Sequence, residues 1–246
     1  MKYSDKTIAE LCRALGAAVS THAEMDLLFL EHGLSGHNCS GGVRPRSNAL
    51  VSAARQLDPP DAEKALTALI KYVLEYNRPD GAPTEKLIRA LRLDGFDWRD
   101  GALAPTTPEP AELAAELSAL ELDLQELGLN VASVHYRQAH ESFVAGNWEA
   151  ANGQIRSFIE NLLIELGRRQ TSKARSDPAA ALQDLRNCSF FDDPEWQMLR
   201  AFWKSIQDNG PHHGLSDEQE ALFRLHVATS VARYAIHKTR ASTQAL

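Results

Sequence analysis

His212 and His213 stand side by side in the stretch DNGPHHGLS, residues 208 to 216. Imidazole is the side chain that titrates near neutrality, so either ring could carry a proton or contact a phosphate. A plainer role is open to the same residues: a turn before a helix, with Gly214 chosen for positive φ and Ser216 as the cap. Lys204 is the nearest upstream cation. Farther back, Arg156 and Glu160 are four residues apart, which puts them on one helical face. They could position a substrate or simply pair with each other, and the pair is the favoured reading. The densest basic run is Arg168, Arg169, Lys173 and Arg175. It could touch nucleic-acid phosphates, although a solvated, charged loop is the default for such a run.

Other constellations are weaker. His32, His37 and Cys39 lie close in sequence, but a zinc site needs about four ligands and a fourth is not evident. Arg44, Arg46 and Arg55 gather around a helix start, a place that can hold an anion, with a solvated surface again the favoured reading. The ATPase, dinucleotide, metalloprotease and serine-hydrolase signatures are absent, and nothing calls for a cofactor. A net charge of -7 argues against a surface that grips nucleic acid all over, while leaving room for a local basic groove. The three cysteines are far apart and odd in number, as in a reducing compartment. No signal-like or membrane-spanning stretch is present, so a cytoplasmic, membrane-free protein is expected.

The elements that must position these residues are helices. Apolar residues recur with helical spacing almost throughout, and period-two alternation is nearly lacking, so the fold class is all-α. Helices are expected over 4–16, 22–32, 47–57, from Asp61 onward, and from Thr84. Gly16 and Gly33 serve as stops, and GLSGHNCSGGVRPR (33–46) as a loop. LRLDGFDWRDGALAP (91–105) reads as a small β-hairpin or a packed loop. The Pro-rich 104–110 reads as a linker between an N-terminal helical domain, 1–103, and a C-terminal bundle, 111–246. In the bundle, helices are expected near 111–127, 131–145, 148–167, 179–186, 194–207 and from Ser216 to about Thr239. RRQTSKARSDP (168–178) reads as a loop. Trp98, Trp148, Trp196 and Trp203 are expected to fill the bundle core or a subunit interface.

Three pieces of the second half belong together: GNWEAANGQIRSFIENLLIEL, the turn DNGPHHGLS, and the final helix EQEALFRLHVATSVARYAIHK. A helix with R-x-x-[IL]-E, a His-Gly turn and a long Ala-rich last helix resemble the C-terminal domain of bacterial abortive-infection proteins, within the HEPN-like helical bundles. The resemblance covers about 111–240. FLEHGLSG, GGVRPRSNAL and the helix pair after them resemble small helical modules at the front of some bacterial defence proteins, and LRLDGFDWRDGALAP resembles a linker between such modules and the bundle.

The resemblance implies a four- or five-helix bundle and an antiphage role. The bundle would then be a dimerisation, partner-binding or RNA-binding module, in a homo-oligomer or with a partner defence protein. The alternative it implies is a metal-independent ribonuclease, with His213 or His212 as acid/base. Lys204, Arg156 with Glu160, or the Arg168, Arg169 and Lys173 run would then hold phosphate. The chain departs from the ribonuclease pattern at one point. Where the motif arginine would precede the histidines, it has Ser205, Ile206, Gln207 and Asp208.

Overall fold

A computed structural model describes residues 2–34, 42–75, 81–106, 110–207 and 216–244. Apart from one two-stranded hairpin, these residues form helices, in two compact units, Met1–Ala115 and Glu116–Leu246. No helix among the described residues is long and apolar enough to cross a membrane.

The first unit is built around α1 (Asp5–Ala18), which packs against α3 (Val43–Arg55), α4 (Pro59–Glu75) and α5 (Ala82–Leu93). Ser4 caps α1 by accepting from the Thr7 amide at 3.3 Å. α2 (His22–Glu31) is capped in the same way by Thr21, whose Oγ1 accepts from the Glu24 amide at 3.2 Å. The core joins Leu11, Leu15, Met25, Leu50, Leu66, Leu69, Ile70, Leu87 and Phe96, all buried.

Three starts fall earlier than the sequence suggests, for one reason. Pro45 sits in the first turn of α3, Pro59 and Pro60 open α4, and Pro83 is the second residue of α5. The first helical residues need no intrahelical N–H, so a proline there starts a helix that it would break farther in.

Gly16 does not stop α1, which runs on to Ala18. A Cβ at Gly16 would lie 3.3 Å from Arg44 Cγ and 3.3 Å from Ser47 Oγ, so the missing side chain lets α3 approach.

After α5 the chain makes a hairpin, β1 (Phe96–Arg99) with β2 (Ala102–Pro105), in register Arg99↔Ala102. The two turn residues, Asp100 and Gly101, have φ of 52° and 75°, the primed geometry that Asp-Gly favours. Asp97 steadies the hairpin by accepting from Arg92 Nε at 3.0 Å and Arg99 Nε at 2.8 Å.

The second unit holds four long helices and two short ones. The long ones are α6 (Pro110–Glu126), whose first residues belong to the other unit, α7 (Asn130–Ala145), α8 (Trp148–Thr171) and α11 (Glu218–Gln244). The short ones are α9 (Pro178–Asn187) and α10 (Asp193–Ser205). α8 packs against α7, α9, α10 and α11. Gly146, at φ 82°, turns α7 into α8. Tyr136, Phe143, Phe158, Leu162, Leu166 and Leu225 are buried. The Tyr136 hydroxyl shares a 3.0 Å hydrogen bond with Thr229 across to α11. Arg233 and Arg240 of α11 pair with Asp123 of α6, and Arg240 also reaches Glu126 at 3.0 Å.

Of the four tryptophans, none is fully buried. Trp196 lies under two guanidinium groups, Arg186 at 4.3 Å and Arg200 at 5.2 Å from its ring centre. Trp98 packs at the edge of the first core, and Trp148 against Phe143 at 5.1 Å.

α8 extends one turn beyond the expected end at Gly167. There a Cβ would meet the Ala181 Cβ of α9 at 3.2 Å, another close approach. Gly167→Val is expected to destabilise the protein by about 1–3 kcal/mol through overpacking, read as a fall in the urea midpoint. Gly167→Ala should cost much less, because it gains about 1 kcal/mol of helix propensity against one tight contact.

Candidate functional site

The basic and acidic residues singled out along α8 and just after it fall into two groups. Arg156 and Glu160 form the first. Arg156 Nε donates to Glu160 Oε1 at 3.1 Å, with the guanidinium 44% exposed. A third partner joins them, since Gln207 Nε2 donates to the same Glu160 Oε1 at 2.7 Å. Gln207 lies just past the end of α10, so Glu160 fixes the point where the chain leaves that helix. Lys204, in the last turn of α10, is exposed.

A second anchor comes from α11. Arg224 is 6% exposed although it carries a full charge. Its Nη2 donates to the Ser205 carbonyl at 3.2 Å and to Glu220 Oε1 at 2.8 Å, while Nη1 is buried with no hydrogen-bond partner among the described residues. Residues 205–207 are therefore held from two helices. On the other side, Asp217 rather than Ser216 caps α11, accepting from the Glu220 amide at 2.7 Å. His212, His213 and Gly214 lie outside the described residues.

The basic run is the other group. It sits at the far end of α8, twelve residues from Arg156, or about 18 Å along the axis. Its cations are engaged within the unit. Arg168 binds Glu165 at 2.9 Å, and Arg169 Nη2 donates to the Leu127 carbonyl at 2.6 Å. Lys173 and Arg175 both close on Asp184, at 2.8 and 2.7 Å. The hydrogen bonds from Arg175 and then Lys173 hold the Asp184 carboxyl down at about 2. Arg168 and Arg169 belong to the last turns of α8 rather than to a loop, where a cation suits the helix dipole. The structure thus joins Arg156 to Glu160 and does not bring Arg168, Arg169 or Lys173 to them.

Sequence reasoning missed Gln207, Arg224 and the Ser205 carbonyl. One signal was available for Arg224. It lies between Ala221, Leu225 and Ala228, on the face of α11 that is buried, with Glu220 four residues earlier to pair with it. Gln207 gives no such signal, because its partner is 47 residues away.

Among the described residues no group of His, Cys, Asp and Glu could hold a metal ion. Of the sparse trio noted in the sequence, His37 and Cys39 lie outside the described residues. His32 is half-buried, and that burial lowers its pKa. Comparison of the chain with family models, with curated proteins and with solved structures finds no match.

Proposed function

We propose that this chain is an antiphage defence protein of the abortive-infection type, whose C-terminal bundle serves as a non-catalytic association module. The observation that carries the association reading is Phe223. It is 62% exposed on α11, beside the buried Arg224, and Tyr234 on the same helix is 41% exposed. Val227, half-exposed, follows Phe223 by one turn. Large apolar side chains grouped on one helix in water are the usual material of a protein–protein contact. The cations that a grip on RNA would need are instead engaged with Glu165, Asp184 and the Leu127 carbonyl. The defence setting, and with it a cytoplasmic location, rests on the resemblance of the helix around Arg156, the His-Gly turn and the Ala-rich last helix.

The partner is a second copy of this chain or another defence protein. Light scattering on the purified protein over a range of concentrations tests the first, with a dimer expected and Phe223→Glu expected to return it to monomer. Co-purification with the products of neighbouring genes tests the second. A protein that stays monomeric at every concentration and brings down no partner would end this reading.

One observation favours a second reading, a metal-independent ribonuclease using His213 or His212. The buried guanidinium of Arg224 is held against the Ser205 carbonyl, a few residues before the two histidines, with one nitrogen unpartnered among the described residues. It is an arginine from outside the linear motif, anchored at Ser205, where that motif has none. Total RNA and tRNA incubated with the protein, and with His213→Ala, decide this. Intact RNA at high protein concentration disposes of the ribonuclease.

A further inference from the structure

The first unit contains a cleft of about 690 Å³ between α1, α3 and the start of α5. That volume lies in the range of small-molecule sites. Ala9 and Pro83 give it apolar walls, and Arg13, Arg44 and Lys86 line it with three cations. Arg44 is the second residue of α3. The cap residue, Gly42, supplies no side-chain hydrogen bond to that helix start, so an anion near Arg44 would also meet the positive end of the helix dipole.

Among these cations stands one carboxylate, and its state is unusual. Glu10 is only 3% exposed. Its Oε1 is claimed by Arg13 and lies 3.9 Å from Lys6 Nζ. Its Oε2 is buried and has no hydrogen-bond partner among the described residues. A carboxylate oxygen removed from water without a donor is costly, on the order of 1–3 kcal/mol or more. A ligand N–H would offset that cost. Arg13 is 61% exposed on its side chain, so its guanidinium can stay paired with Glu10 Oε1 and still face a phosphate in the cleft.

We propose that this cleft binds a mononucleotide, with the phosphate on Arg13, Arg44 and Lys86 and an amino or ring N–H of the base donating to Glu10 Oε2. The pattern demands both halves. Three cations against one carboxylate select an anion, and a lone buried acceptor selects a ligand with an N–H donor at its other end. A nucleotide carries both, and its flat base suits the apolar walls. Inorganic phosphate satisfies only the cations. The site lies wholly within the first unit and is independent of the association reading for the second.

Titration calorimetry and thermal-shift measurements on the full chain with AMP, GMP, CMP, UMP and inorganic phosphate test this. At least one nucleoside monophosphate should bind about tenfold or more tightly than phosphate, a difference the size of one good hydrogen bond. Arg44→Ala and Lys86→Ala, both at exposed positions, should each weaken the nucleotide by about threefold or more. Glu10→Ala, which leaves no acceptor, should erase the preference for nucleotide over phosphate; if it fails to fold, the two surface variants still decide. No binding of any nucleotide at millimolar concentration, equal affinity for inorganic phosphate, or affinity unchanged in both cation variants would each overturn the proposal.

Discussion

Asp94→Asn is expected to flatten a pH dependence of stability that the wild-type protein carries between about pH 4 and about pH 6. Asp94 follows α5 and is fully buried. Its Oδ2 accepts the Ser4 amide at 2.8 Å and so ties the cap of α1 to the end of α5. Burial raises its pKa from 3.8 to about 6, with the hydrogen bond from Ser4 opposing and the nearby Asp5 adding to the rise. In the unfolded chain the carboxyl ionises near 3.8, while the folded protein keeps its proton until about 6. The contribution to stability is therefore complete below 3.8 and is lost as the pH climbs through 6. The gap corresponds to on the order of 3 kcal/mol. Asparagine keeps the acceptor for Ser4 and has no proton to lose. Relative to wild type, Asp94→Asn should become more stable by about 3 kcal/mol on going from pH 4 to pH 8, as measured by urea unfolding at both. Parallel pH profiles for the two proteins would show that Asp94 does not titrate as its burial demands.

Phe158→Ala is expected to lose about 3–5 kcal/mol, about a fifth or more of the whole stability of an ordinary domain. Phe158 is 0% exposed on α8, and its ring centre lies 5.1 Å from that of Tyr136 on α7. Truncation removes the apolar area and the aromatic pair, and leaves a cavity in a helix that has neighbours on several sides. Thermal unfolding followed by circular dichroism reads the loss. Phe158→Leu refills most of the volume and should lose much less. A drop under about 1 kcal/mol for alanine would mean that the surrounding helices close over the gap.

The sequence makes the helices legible because each buries an apolar stripe, and the hairpin because Asp100-Gly101 has one favoured geometry. Ends are harder. Gly16 and Gly167 look like stops by type, yet each lies inside a helix where a neighbour comes too close for a Cβ. A local signal cannot tell a chain that must turn from one that must be thin. Charged residues behave likewise. The Arg156–Glu160 pair is one turn apart and can be read directly. Lys173 and Arg175 look like a free basic run until Asp184, on the following helix, folds back between them. The anchoring of residues 205–207 by Glu160 and Arg224 depends on three helices meeting, which no window of neighbouring residues contains.

Glu195 has two roles at once. It completes the capping box of α10, with its Oε2 accepting the Asp192 amide at 2.8 Å, and the same oxygen receives Lys238 Nζ of α11 at 2.6 Å while Tyr234 binds Oε1. The start signal of one helix and the latch to another are thus a single carboxylate. α10 has no way to be well begun yet undocked, so it should form and fray in one step with the later turns of α11. Amide protons in the two segments should then exchange with solvent at a shared rate.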